Sequence, residues 1–275
     1  MATLEQTLEL MKNRKICYQD ISEDNKDNAV CPICNGMEFI LKRNEYGIDS
    51  AVPCKCREEA IMKRKRNFAD IPETFKNHTL ENFDTQMYKL EDSKIQMDGI
   101  MKVIKYYLED FKKQQENGMG LYFFSGTKGS GKTRMAASIA NELLKDHQVK
   151  FATSPTILAE IKKTYDRESG NNVQTEYQLL DYLITSEILI IDDFGTEKIT
   201  GWVNEKFYQI INERYIAKKV TIFTSNEEPG KTGYDTRITN RIIERTYPVK
   251  FPEESVRIAL AHKQQNEFMD KAFKG

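Results

Sequence analysis

The chain has 275 residues, enough for one large domain or a medium domain with a small appendage. Its 41 lysines and arginines balance 42 aspartates and glutamates, so the net charge of −1 gives no overall attraction to a polyanion and leaves any nucleic-acid contact to local patches. No apolar run approaches membrane-spanning length, and the opening MATLEQTLELMKNRKI mixes charged and apolar positions unlike a signal peptide, which predicts a cytoplasmic protein with no membrane partner.

In chain order, residues 4–16 predict a short amphipathic helix, and the acidic stretch YQDISEDNKDNA after it reads as a linker. Cys31-Pro-Ile-Cys34 and Cys54-Lys-Cys56 then form a C-x2-C…C-x-C pattern, close to a zinc ribbon but with a tighter second pair. Cysteines in a reducing compartment are poor disulfide material, and a unit of about 30 residues is too small to fold on apolar burial alone, so zinc on four thiolates is the expectation. His78 is the substitute ligand if one cysteine does not bind, and Cys17 has no partner in the spacing. REEAIMKRKRNF predicts a basic helix broken at Ile71-Pro72, which suggests a boundary near residue 70 and two domains, 1–70 and 71–275. Its MKRKR run reads first as a solvated face and second as a contact for DNA phosphates.

From 86 to 116 the apolar positions Ile100, Met101, Ile104, Tyr107, Leu108 and Phe111 recur at helical intervals, predicting one long helix that ends at Asn117-Gly118. LYFFS (121–125), VKFAT (149–153), EILII (187–191), VTIFT (220–224) and YPVKF (247–251) are nearly continuous in apolar character, as strands buried on both faces should be. Helical segments at 132–146, 155–167, 203–218 and 235–245 fall between them or beside them, so the fold class is α/β, a parallel five-stranded sheet flanked by helices.

Between the first of these strands and its helix lies GTKGSGKT, which satisfies Gly-x4-Gly-Lys-[Ser/Thr]. Gly126, Thr127, Lys128, Gly129, Ser130 and Gly131 form a loop whose N–H groups can face phosphates, backed by the positive end of the following helix. Lys132 is expected to reach the β- and γ-phosphates of ATP or the phosphates of ADP, and Thr133 to offer its hydroxyl to magnesium. EILIIDDFG supplies the acidic half of such a site: Asp192 placed to hold magnesium through water, Asp193 to orient or deprotonate an attacking water.

Taken in order, GTKGSGKT, LIIDDFGTE, the triplet Thr224-Ser225-Asn226, DTRITNRI and FPEESVR resemble the nucleotide-site motifs of the AAA+ ATPases in the DnaC/DnaI helicase-loader and IstB group, over about residues 70–260. IPETFKNHTLENF is similar to the segment before the ATPase core in these loaders. The resemblance implies an AAA+ sheet with a truncated C-terminal lid, since only one helix, 253–272, is expected after the last strand. It gives Asn226 the sensor-1 role, Arg241 that of an arginine finger reaching a neighbouring subunit with Arg237 as its helper, and Arg257 the sensor-2 role. It implies self-association through the ATP site and hydrolysis that is weak or partner-stimulated, because Asp193 is shorter than the glutamate many AAA+ proteins carry there.

By the same resemblance, residues 1–70 are a docking module for a hexameric replicative helicase, and AEIKKTYDRES faces single-stranded DNA through Lys162, Lys163 and Tyr165. The expected function is ATP-dependent loading of that helicase onto single-stranded DNA in replication initiation. An IstB-like transposition helper working with a transposase is the alternative within the fold. A small-molecule kinase and a non-catalytic nucleotide-gated adaptor are readings from other classes: the first needs a closing lid and leaves the sensor and finger residues idle, and measurable Arg241-dependent hydrolysis would count against the second.

Overall fold

A computed structural model describes residues 31–43, 49–165 and 175–274; the helix expected over 4–16, the linker, Cys17 and the end of AEIKKTYDRES lie outside the described residues. The chain divides into two compact units between Ala60 and Ile61, earlier than the boundary near residue 70 suggested by the Ile71-Pro72 break. In the first unit an antiparallel hairpin pairs β1 (Phe39–Arg43) with β2 (Asp49–Pro53), Phe39 opposite Pro53. Helix α1 (Arg57–Ala69) starts directly after the last cysteine. Among the described residues of this unit only Cys34 and Cys54 are buried, while Ile33, Met37, Phe39 and Leu41 are exposed.

The second unit is a parallel sheet of five strands in the order β4-β5-β6-β3-β7. The strands are β3 (Gly120–Phe124), β4 (Val149–Thr153), β5 (Ile188–Phe194), β6 (Val220–Ser225) and β7 (Thr246–Lys250). All match the apolar runs to within a residue or two at their starts and ends, except that β5 continues through its acidic pair to Phe194. Two apolar layers show why these strands read as continuous: Leu121 and Phe123 of β3 face one layer with Ile188 and Ile190 of β5, while Tyr122, Leu189 and Ile191 face the other.

The first layer is covered by α2 (Glu91–Glu109) and α4 (Lys132–Leu143), the second by α5 (Ser154–Lys163), α6 (Glu176–Thr185), α7 (Gly201–Ile216) and α8 (Thr236–Glu244). The single helix expected over 86–116 is corrected. Residues 85–87 form a 3-10 turn, and the helix breaks at Asp110 into α2 and a short α3 (Phe111–Asn117), because Asp110 leaves helical geometry at φ −112° and ψ 31°. The sequence pattern also passed over α6, which starts at a capping box of Thr175 and Gln178. Among the described residues one helix, α9 (Val256–Lys274), follows β7, and no helix is long and apolar enough to cross a membrane.

The sheet's second layer is locked by a cation. Arg214 is fully buried, and its guanidinium donates to the carbonyls of Leu183, Ile184, Ser186 and Val220 and to the hydroxyls of Thr221 and Ser186, with no carboxylate in the set. Burial pushes its pKa down to about 9. Its role is to satisfy the carbonyls that end α6 and start β6. Arg214→Met should leave them unpaired and cost about 2–4 kcal/mol in denaturant unfolding; a midpoint within error of the parent would contradict this account.

Candidate nucleotide site and metal centre

The strand order puts β6 between β3 and β5, so the loops leaving β3, β5 and β6 open at one end of the sheet. The phosphate loop follows β3. Gly129 and Gly131 have φ of +83° and +95°, and a side chain at either would also collide, with Ser255 Oγ at 2.7 Å or Tyr88 Oη at 2.8 Å. Tyr88 fixes the loop from outside by donating its hydroxyl to the Ser130 carbonyl at 2.7 Å. Lys132 is buried and folds back on its own loop, donating to the Ser125 and Thr127 carbonyls at 3.1 Å and to Ser130 Oγ at 3.2 Å. Burial lowers its pKa, opposed by the charges of Asp193, Glu253 and Asp192.

The acidic pair sits on a bulge. Ile191 faces Phe223 and Phe194 faces Ser225, so β5 fits one more residue than β6 between these pairs, and Asp193 takes φ 54°. The bulge splits the two carboxylates: Asp192 is 4% exposed, whereas Asp193 is open to solvent. Asp192 Oδ1 accepts from Thr133 Oγ1 at 2.9 Å and from Thr224 Oγ1 at 2.5 Å, while the Asp193 N–H donates to Thr224 Oγ1 at 3.0 Å. Burial pushes the Asp192 carboxyl up to about 6 against the pull of those two hydroxyls, with the Asp193 charge adding to the rise. An ionised carboxylate held at this cost beside a threonine hydroxyl is an oxygen donor set suited to a hard divalent cation.

The structure thus brings together Gly126 to Thr133, Asp192 and Asp193. Asn226 follows β6 directly and is half-buried, with no side-chain hydrogen-bond partner among the described residues. Arg257 lies against the loop, its N–H 3.4 Å from the Gly129 carbonyl. Arg237 and Arg241 are elsewhere: both sit on α8 against Tyr208, away from the phosphate loop and from Asp192 and Asp193 of their own chain. Lys162 lies 5.3 Å above the Trp202 ring, and Tyr165 meets the same ring edge-on at 6.5 Å.

Three contacts escape sequence reasoning. Thr224 joins the two acids, Tyr88 braces the loop, and Glu253 accepts from the Gly126 and Thr127 N–H groups at 3.2 and 2.9 Å and from Ser125 Oγ at 3.0 Å. Desolvation opposes the ionisation of Glu253, but these bonds outweigh it and hold its pKa below the usual value. Each contact joins segments remote in sequence, and the only local hint is that Thr224 and Glu253 stand inside motifs singled out for their neighbours.

In the first unit the four cysteine sulphurs lie within 4.8 Å of one another, with Cys34 to Cys56 at 3.3 Å and Cys31 to Cys54 at 3.8 Å. These are not disulfide distances, and all four cysteines are free thiols. A tetrahedron of zinc–sulphur bonds of about 2.3 Å has edges of about 3.8 Å, so the cluster fits one such ion. The tight second pair therefore closes without His78, which belongs to the second unit and whose carbonyl accepts from Asn141 Nδ2. The backbone N–H groups of Cys34 and Ile33 draw the Cys31 thiol down to about 7, whereas the Cys34 sulphur pushes Cys56 upward. Crowded thiolates of this kind are relieved by a cation among them.

The family model of the IstB-like ATP-binding proteins matches residues 54–260. The replicative helicase loader DnaC of Escherichia coli strain K12 is 30% identical over 194 residues, covering 70% of this chain and 73% of that protein. Among solved structures, a DnaI is 25% identical with a TM-score of 0.53, covering 66% of this chain and 95% of that one. A DnaC helicase loader superposes with a TM-score of 0.54 at 20% identity, covering 66% and 99%, and shows that the sheet has the AAA+ P-loop fold. By its matched length and its loader relatives, the chain belongs to the IstB-like ATP-binding protein family, and it is a homologue of the DnaC replicative helicase loaders.

Proposed function

We propose that the protein is an ATPase that loads a hexameric replicative DNA helicase onto single-stranded DNA. The observation that carries this reading is the 30% identity to a replicative helicase loader across 70% of the chain. Lys132 would exchange its loop carbonyls for β- and γ-phosphate oxygens, and the N–H groups around Gly129 and Gly131 would cradle the remaining charge. Thr133 and Asp192 would hold magnesium, which would supply positive charge to offset that of the phosphates. Asp193, lifted into solvent by the bulge, and the free Asn226 amide would orient the attacking water, and Arg257 would contact the γ-phosphate beside Gly129.

Arg241, with Arg237, would complete the site of a neighbouring copy, which accounts for its distance from the loop of its own chain. Residues 1–70, with zinc on Cys31, Cys34, Cys54 and Cys56, would dock on the helicase. Lys162, Lys163 and Tyr165 would meet single-stranded DNA, with charges for phosphates and a ring for stacking. The match to the IstB-like model favours one other reading, a transposition helper.

The test uses the intact chain and a version beginning at Ile71 as bait, with and without ATP. The intact chain should retain a replicative helicase and the shortened one should not. Retention of a transposase by both would overturn the loader reading and sustain the helper.

A further inference from the structure

Helix α7 presents Tyr208 and Tyr215 along one stripe, and Arg237 and Arg241 of α8, followed by Arg245 at its C-cap, recur every four residues along another. The two stripes interleave. The guanidinium carbon of Arg237 lies 5.0 Å from the Tyr208 ring centre, that of Arg241 lies 5.1 Å from Tyr208 and 5.6 Å from Tyr215, and that of Arg245 lies 4.9 Å from Tyr215. Of the three, Arg241 is the one that stands between both rings; its Nε, like that of Arg245, is buried without an acceptor among the described residues.

The acids beside this row are already engaged. Asp235 takes both Nε and Nη2 of Arg237 at 3.1 and 3.0 Å. Glu244 is three residues after Arg241, the spacing at which helical ion pairs form, yet it accepts the Tyr215 hydroxyl at 2.6 Å. No carboxylate pairs with Arg241 among the described residues; its terminal nitrogens reach only the Arg237 carbonyl at 2.8 Å and, weakly, Tyr208 Oη at 3.4 Å. An aromatic face orients a guanidinium without cancelling its charge, which a carboxylate would do.

We propose that Tyr208 and Tyr215 are positioning residues that present Arg241 as an oriented, un-neutralised cation to the triphosphate of a neighbouring copy: Tyr208 acts through its ring, and Tyr215 through its ring and by occupying Glu244. The inference rests on the reading of Arg241 as a residue acting between copies, and it separates Arg241 from Arg237, whose charge is already met by Asp235.

The test measures kcat and KM for ATP with the full chain at a concentration where it self-associates, together with self-association driven by a non-hydrolysable ATP analogue. Tyr208→Leu should lower kcat about two- to fivefold and weaken that association, while Tyr208→Phe keeps both and KM stays unchanged. Tyr215→Phe, which retains the ring, should also lower kcat by freeing Glu244, and adding Glu244→Gln should restore it. In an Arg241→Ala background neither tyrosine change should have a further effect.

If Arg241→Ala leaves kcat and association unchanged, the inter-copy reading falls and this inference with it. If Arg241→Ala is damaging but the tyrosine changes are silent, or act undiminished in its absence, or Glu244→Gln gives no rescue, the positioning role alone is overturned. Should Tyr208→Leu fail to fold, the Tyr215→Phe and Glu244→Gln pair decides the question, since it removes no ring.

Discussion

Lys132→Ala is expected to weaken ATP binding by about 30- to 150-fold in Kd, the loss of about 2–3 kcal/mol from a charged hydrogen-bonding partner of the phosphates. The ammonium is buried within the loop that would receive them, where it bonds the Ser125 and Thr127 carbonyls. Its removal also takes away the bonds to Ser125, Thr127 and Ser130 that hold the loop's shape before ATP arrives. Titration with a fluorescent ATP analogue reads the affinity, and thermal unfolding of the same variant checks that the sheet is intact. Undiminished affinity in a folded variant would sink the assignment of this loop. Thr133→Ala provides the contrast: it should spare nucleotide binding in the absence of magnesium and lose most of the gain that magnesium brings.

Removal of the metal from the first unit should have the other large effect. The purified chain is expected to carry about one zinc. A strong chelator should abolish the protection of hairpin amides from hydrogen exchange while leaving ATP binding by the second unit in place. The physical reason is that the described residues build no apolar core around the hairpin: Cys34 and Cys54 are the only buried ones among the described residues of the unit, and Met37, Phe39 and Leu41 face solvent. Binding free energies of about 10–16 kcal/mol for structural zinc dwarf what such a hairpin gains by itself. Cys34→Ser should reproduce the chelator's effect. A hairpin that keeps its protection without metal would refute the four-thiolate reading.

Much of the fold was legible because central parallel strands bury both faces, so Leu121-Tyr122-Phe123 and Ile188-Leu189-Ile190-Ile191 announce themselves without any knowledge of their neighbours. The helix pattern was less informative. The periodicity across 100–111 runs through Asp110, and only the backbone reveals that α2 stops there. Helix α6 carried its own start signal in Thr175 and Gln178, which strand counting passed over. For the candidate site, Lys132, Thr133 and Asp192 were readable because their chemistry demands fixed local spacing. The bulge that buries Asp192 and exposes Asp193 was not readable, since it depends on how β5 registers against Phe223 and Ser225 of β6.

The sequence by itself determined the parts whose neighbours are held by covalent distance: a glycine-rich loop ahead of a lysine, two adjacent acids at a strand end, and two close cysteine pairs. Tertiary structure alone decided how those parts are shared out. It closed the two cysteine pairs, separated by a hairpin, into one cluster, set Thr224 between the acids, and laid Glu253 against the loop N–H groups. It also gave Asp235 to Arg237 and Glu244 to Tyr215, which leaves Arg241 charged between two rings. Partner choice of this kind is governed by through-space distance and by which groups lose their water, and neither quantity is written in the order of residues along a chain.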